Sequence, residues 1–498
     1  MLALAALPVA IRLAMLPWHP MPSPVVYDEF SHLLVADTLR HFRLANPPHA
    51  LPQFFETFFV LQSPTYSSIY PIGQGLALGI GWTLFGTPWA GVLLSTAALC
   101  ALCYWMLRGW TLPTWALLGG ILAVIEFGPL NQWTNSYWGG AYTAAAGCLV
   151  FGALPRLRRA PRTRDAIILG LGLGLHLLSR PFESIFLLAA AVLFLLPNRR
   201  TLGKPAMIAA LTCLPAVAIV IAQNKQVTGH FTTLPYALSQ YQYGVPASFT
   251  FQPHPTPHNT LTREQDLDYK MQRAFRAREI DTFTTYLQRL LYRVRYYRFY
   301  FYPTLYIALF VFLIRTRTWE HAWIVLTLAL FALGTNFYPI FLTHYIAALT
   351  CLFILVSVEG LRALNRLSAV ALIGLCLVQF AISPVDERNP DRHIGINRQL
   401  AQMPGQLLVL VRYWPQHIFQ DEWVYNAADI DTARIVWARD LGDTEDQKLL
   451  HYYPKRRFFL LEPDARPPRL TPYAPEPPKP PEKPPEKKIP QIPFEPIR

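Results

Sequence analysis

Residues 88–107, PWAGVLLSTAALCALCYWML, run for twenty positions without a charged side chain before Arg108 stops them. As an α-helix such a stretch rises about 30 Å, the thickness of a bilayer's hydrocarbon core. Residues 1–17, 113–129, 139–154, 166–179, 184–197, 205–222, 301–314, 319–337, 344–361 and 368–383 repeat the pattern in shorter form. Tilt or local thinning of the bilayer has to absorb the shortfall. The expected fold is an all-α polytopic membrane protein with about eleven transmembrane helices.

Composition agrees. Of 498 residues, 52% are hydrophobic and only 15% charged, while a mean hydropathy of +0.23 reflects dilution by long polar segments. The net charge of +13 does not point to nucleic acid, because its arginines sit in short links where membrane insertion accounts for them. One set of links carries Arg108; Arg156, Arg158, Arg159, Arg162 and Arg164; Arg199, Arg200 and Lys204; Arg315 and Arg317; Arg362 and Arg366. The alternate links, 131–137, 179–183 and 336–343, carry only Arg180. This alternation predicts a multi-pass protein of the cell inner membrane with a cytoplasmic amino terminus and an extracytoplasmic carboxy terminus. Residues 1–17 lack a basic leader and a small-residue cleavage site, so a retained helix is expected there. Counting 73–85 as a span would break the alternation. That segment is expected to lie along the outer surface, with Pro71 in its first turn. All six cysteines fall in apolar stretches without His or Asp partners and read as small apolar residues.

The chain divides into a transmembrane domain, 1–383, with large outer loops at 18–87 and 223–300, an extracytoplasmic α/β domain at 384–474, and a Pro/Lys-rich tail at 475–498. Strand patterns at 406–412 and 433–439 support the α/β reading, and the tail's composition predicts a disordered, extended arm.

Nucleotide sugars are cytoplasmic, so a transferase acting on the outer face needs a donor already carried across on a lipid, such as a polyprenyl-phosphate sugar. Its site must hold a phosphate and an acceptor, and a carboxylate ionised at neutral pH can take the acceptor's proton. Tyr27-Asp28-Glu29-Phe30-Ser31-His32, then Tyr70-Pro71-Ile72-Gly73-Gln74-Gly75 leading to Leu84-Phe85-Gly86, with the many-helix layout, resemble the GT-C superfamily of integral membrane glycosyltransferases. The resemblance is to the branch of protein O-mannosyltransferases, aminoarabinose transferases and RgtA/B/C/D-like enzymes. It covers 1–383 and departs at Pro71-Ile72, where relatives often have Pro-Pro. It implies inverting transfer from a polyprenyl-phosphate sugar to a lipid, glycan or protein acceptor of the cell envelope, with Asp28 as general base and Glu29 orienting the acceptor or a metal. No metal-ligand spacing is present. The motif leaves room for a divalent cation on Asp28 or Glu29 without requiring one.

Substrate contacts are expected from His32, which shares the Glu29 face if a helix starts at Asp28, and from Tyr70 and Gln74 of the second motif. Arg180 in Ser179-Arg180-Pro181-Phe182-Glu183 is costly at membrane depth unless functional or paired with Glu183. It is the first choice for the donor phosphate. Asn135 and Tyr137 occupy another outer turn, and His344 and Tyr345 start a span at the same face. Arg289, Arg293, Arg295 and Arg298, interleaved with tyrosines, suit an interfacial helix touching lipid phosphates. Two rival classes are a transporter or flippase, which would place ionisable groups near the midplane of repeated or broken helices, and an envelope scaffold acting through the tail and outer domain.

Overall fold

The computed structural model describes residues 1–198, 203–276, 280–315, 318–386 and 391–473. The tail 475–498, Arg199, Arg200 and Arg317 lie outside these described residues. Every expected span is helical over most of its length. Three helices, Pro88–Leu107, Gly203–Thr228 and Thr343–Ala363, are long and apolar enough to cross a membrane. Phe283–Tyr300 with Leu305–Ile314 makes a fourth if a pair bent by 117° is one span. Others, such as Leu2–Ala14, Pro113–Phe127 and Glu183–Leu195, have 10–17 residues. The expected eleven full crossings therefore exceed what helix length supports. Helix Gly203–Thr228 exposes Met207, Leu211, Leu214 and Ile221 along one side, an apolar stripe that needs lipid rather than water against it. The chain is a membrane protein.

Close packing follows small residues. Gly170 and Gly174 bring helix Thr163–Leu177 against Gly203–Thr228, and Gly172 brings it against Ala141–Arg159, as glycines in a membrane helix should. Helix Ile72–Phe85 packs through Gly75 and Gly79 on Val35 and Ala36, and through Gly81 on Gly91. Pro71 is its N-cap, one residue ahead of the first turn.

Two short strands, β1 (Val60–Leu61) and β2 (Ser67–Ser68), pair antiparallel within the first outer loop. The C-terminal domain holds a four-stranded sheet. Its strands are β3 (Leu407–Val411), β4 (Ile435–Arg439), β5 (Arg457–Glu462) and β6 (Arg469–Pro472), in the order β4-β3-β5-β6, with β6 antiparallel to β5 and the rest parallel. β3, Leu-Leu-Val-Leu-Val, is buried throughout, the signature of a central parallel strand. Both expected strands, 406–412 and 433–439, are present.

This domain is docked on the first outer loop. Leu34, Phe54, Phe55 and Tyr66 share one core with Leu408, Leu410, Val436 and Tyr453. The Asp37 carboxylate accepts from Ala428 N at 2.8 Å, Thr57 donates to Glu422 at 2.6 Å, and Val26 forms a β-bridge with Asp421. The helix carrying Asp28 is thus held at both ends by a domain outside the resemblance.

Candidate active site

Val26 is extended and caps a helix running Tyr27–Arg40. Glu29, in the third helical position, turns back to accept the backbone N–H groups of Val25 at 3.0 Å and Val26 at 3.2 Å through Oε2. Its Oε1 accepts from Tyr137 N at 2.9 Å, and the side chain is buried. Glu29 therefore ties residues 18–87 to the 131–140 turn and, unlike Asp28, lies outside the cavity lining.

Asp28 instead lines a cavity of about 370 Å³, within the range of ligand pockets. In the helix His32 lies four residues beyond Asp28 and three beyond Glu29, within reach of both faces, and it lines the cavity together with Asp28. The His32 ring stacks on Tyr70 with centroids 4.3 Å apart. The Tyr70 hydroxyl donates to Asp28 Oδ1, and the Trp138 side chain is a further donor to that carboxylate. Burial, foremost, pushes the Asp28 carboxyl up from 3.8 to about 6, against the lowering effect of the Tyr70 bond, with Glu29 repulsion adding to the rise. Burial and the positive charge of Arg180 hold His32 down near 3, so it is neutral.

Arg180 enters from the turn between helices Thr163–Leu177 and Glu183–Leu195. Its guanidinium lies over the Tyr345 ring, 4.8 Å from the centroid, and makes no ion pair or hydrogen bond among the described residues. The alternative of an Arg180–Glu183 pair is not formed, and Glu183 Oε1 is buried without a partner. His344 packs 5.3 Å from Trp138 and 5.1 Å from Tyr345. His176 lies behind, its Nδ1 2.7 Å from Ser184 Oγ. The turn that delivers Trp138 ends in two glycines of positive φ, Gly139 at 95° and Gly140 at 124°. A Cβ on Gly140 would meet the Trp133 ring, so only glycine fits.

The cavity therefore gathers Asp28, His32, Tyr70, Gln74, Arg180, Glu183, His344 and Tyr345, and leaves out Glu29, Asn135 and Tyr137. Asn135 accepts from Arg12 Nε at 2.6 Å and donates to the Pro129 and Asn131 carbonyls. The Tyr137 hydroxyl donates to the Pro22 carbonyl at 2.9 Å. Both residues have their polar atoms satisfied inside the protein and lie outside the cavity lining. Sequence reasoning missed Tyr236, Gln240, Gln223, Asn224 and Tyr338, all in the wall. Pro235, at the start of an unexpected helix, Pro235–Tyr243, was the legible signal for the segment bearing Tyr236 and Gln240.

The basic aromatic stretch divides in two: Arg295 and Arg298 are exposed, while Arg289 and Arg293 turn inward. Arg289 pairs with Asp281 and donates to the Asn336 carbonyl at 2.8 Å; Arg293 donates to the carbonyls of Thr335, at 2.8 Å, and Tyr338. These arginines face protein and hold the Tyr338 segment, while Phe283, Leu287 and Leu291 are exposed on the outer side. Among the described residues no group of three or more His, Cys, Asp or Glu side chains is placed to hold a metal ion.

No family model and no curated protein matches the chain. Among solved structures it is similar to ArnT from Cupriavidus metallidurans in the apo state, at 14% identity and a TM-score of 0.45, covering 80% of this chain and 65% of that one. ArnT bound to undecaprenyl phosphate gives 14% and 0.47, covering 75% and 63%. The Archaeoglobus fulgidus oligosaccharyltransferase in complex with Zn and sulfate gives 14% and 0.48, covering 82% and 59%. The chain thus spans less than two thirds of the length of these proteins. They are GT-C superfamily membrane glycosyltransferases, the group that the first-loop motif resembles.

Proposed function

We propose that this protein is a membrane glycosyltransferase that moves a sugar from a polyprenyl-phosphate donor to an extracytoplasmic acceptor, with inversion. The observation that carries the reading is a carboxylate pushed up to about 6 in one cavity with an unpaired arginine. A base is most effective when its pKa lies near the working pH, and an uncompensated guanidinium at membrane depth calls for an anion. The acceptor's oxygen forms a bond to the anomeric carbon as the bond from that carbon to the phosphate oxygen breaks. The acceptor proton goes to Asp28, and the electron pair leaves on the phosphate, whose charge Arg180 offsets. Tyr70 and Trp138 hold the carboxylate in place, and His344 and Tyr345 form the wall beside Arg180. The alternating loop charges support an extracytoplasmic position for this site.

The test is transfer of labelled sugar from synthetic polyprenyl-phosphate donors to cell-envelope fractions by purified protein, with and without chelator. Turnover that falls in Arg180→Ala is the expected result, and the chelator arm decides whether a divalent cation takes part. No turnover of any donor by folded, donor-binding protein would overturn the reading in favour of a transporter.

A further inference from the structure

Four of the five amides of the cavity wall are held by their nitrogen end. Gln74 donates its side-chain nitrogen to the Tyr137 carbonyl at 3.1 Å, Gln223 to Tyr70 at 2.9 Å, Asn224 to Phe231 at 3.1 Å and Gln240 to Pro246 at 2.9 Å. A backbone carbonyl can take only the nitrogen end of an amide, so each bond fixes which end turns away. None of the four amide oxygens accepts a hydrogen bond from another described residue, and none is a sealed atom without a partner. They stay accessible on residues that line the cavity. Asp28 adds a carboxylate, and Glu183 is a second acidic side chain in the wall. Against these acceptors, Arg180 is the one Lys or Arg among the described residues of the wall. The tyrosine hydroxyls serve as donors or acceptors and leave the balance unchanged.

We infer that, beyond Arg180, the cavity selects a headgroup rich in hydrogen-bond donors and free of carboxylate, namely a neutral hydroxylated sugar on the donor lipid rather than a uronic acid. The inference rests on the function proposed above. Hydroxyls of such a sugar pair with fixed amide oxygens that need no reorientation on binding. A uronate carboxylate would lose its water to face oxygens and two acidic side chains, with Arg180 already engaged by phosphate.

Competition against a labelled polyprenyl phosphate tests this on the purified full chain. Three unlabelled competitors share one lipid: the bare polyprenyl phosphate, its hexose ester and the matching hexuronate ester. The hexose ester should compete about tenfold or more better than the hexuronate, a gap of about 1.4 kcal/mol. Gln240→Lys places a donor in the wall and should shrink that gap to about threefold or less. Gln240→Met covers the case in which the lysine variant does not fold; it should weaken the hexose ester and leave the hexuronate unchanged. Equal or tighter binding of the hexuronate by wild type, or a gap that neither variant moves, overturns the inference. Failure of even the bare polyprenyl phosphate to bind would instead overturn the functional reading on which it rests.

Discussion

The docking face of the C-terminal domain and the cavity beside it are both buried and polar, yet they end in opposite states. At the docking face the carboxylates are saturated. Glu422 accepts from Thr57 and Tyr413, each at 2.6 Å, from Trp423 N at 2.9 Å and from Val424 N at 2.7 Å. In the cavity, Arg180 has no ion pair, and Glu183 Oε1 and His32 Nδ1 have no partner. Most buried polar groups of a folded chain are satisfied internally, and a polar group left over beside a ligand-sized cavity is one that a ligand can complete. The same contrast runs through one dipeptide: Glu29 accepts three backbone N–H groups and is structural, while Asp28 is held by side chains at the edge of open space. Adjacent carboxylates are told apart by what they have left over.

The largest expected effect lies on the cavity side. Asp28→Asn keeps the shape but cannot accept a proton, so transfer should fall by about 10²–10⁴-fold, read as initial rate at saturating donor. On the docking side, Glu422→Ala leaves Thr57 and two backbone N–H groups without their acceptor. It should cost about 3 kcal/mol of stability, seen as a lower unfolding midpoint in detergent. Arg180→Ala should weaken binding of polyprenyl phosphate by about 2 kcal/mol, some thirtyfold, while leaving the unfolding midpoint nearly unchanged because no ion pair or hydrogen bond within the described residues is lost and only the contact with the Tyr345 ring goes. A large drop in that midpoint would show Arg180 to be structural and erase the contrast.

The smallest effects concern pH. Transfer should decline as pH falls through about 6, where Asp28 takes up a proton. For stability the sign is opposite to that of a salt-bridged acid. The folded-state value lies above the ordinary 3.8, so folding disfavours the ionised form. The stability from this group is fullest below about pH 4 and is lost as pH rises through about 6. Asp28→Asn should therefore match wild type in thermal unfolding at acid pH and exceed it at pH 7.5.

Much of the fold was legible because apolar runs and Arg-rich links carry their own punctuation, and the buried β3 strand announces itself as Leu407-Leu-Val-Leu-Val411. Full spans were not, since several helices are shorter than the apolar runs suggested and length alone does not make a crossing. In the site, Asp28 and Arg180 could be singled out because charge in such settings is expensive. Glu29 could not be separated from Asp28. Its capping role depends on Val26 being the N-cap, and a valine gives none of the side-chain signal that Ser, Thr or Asp would. Gln223 was invisible for another reason: the Tyr70 carbonyl that holds it lies 153 residues away and only the tertiary fold brings it near. The docking of the C-terminal domain rests on such long-range pairs too, Asp37 with Ala428 above all.

The most direct test compares Asp28→Asn with Glu29→Gln in one purified preparation, measuring transfer from a labelled polyprenyl-phosphate sugar and thermal unfolding at pH 7.5. The account expects Asp28→Asn to lose turnover while its unfolding midpoint holds or rises, and Glu29→Gln to lower the midpoint. Turnover that survives in Asp28→Asn would contradict it.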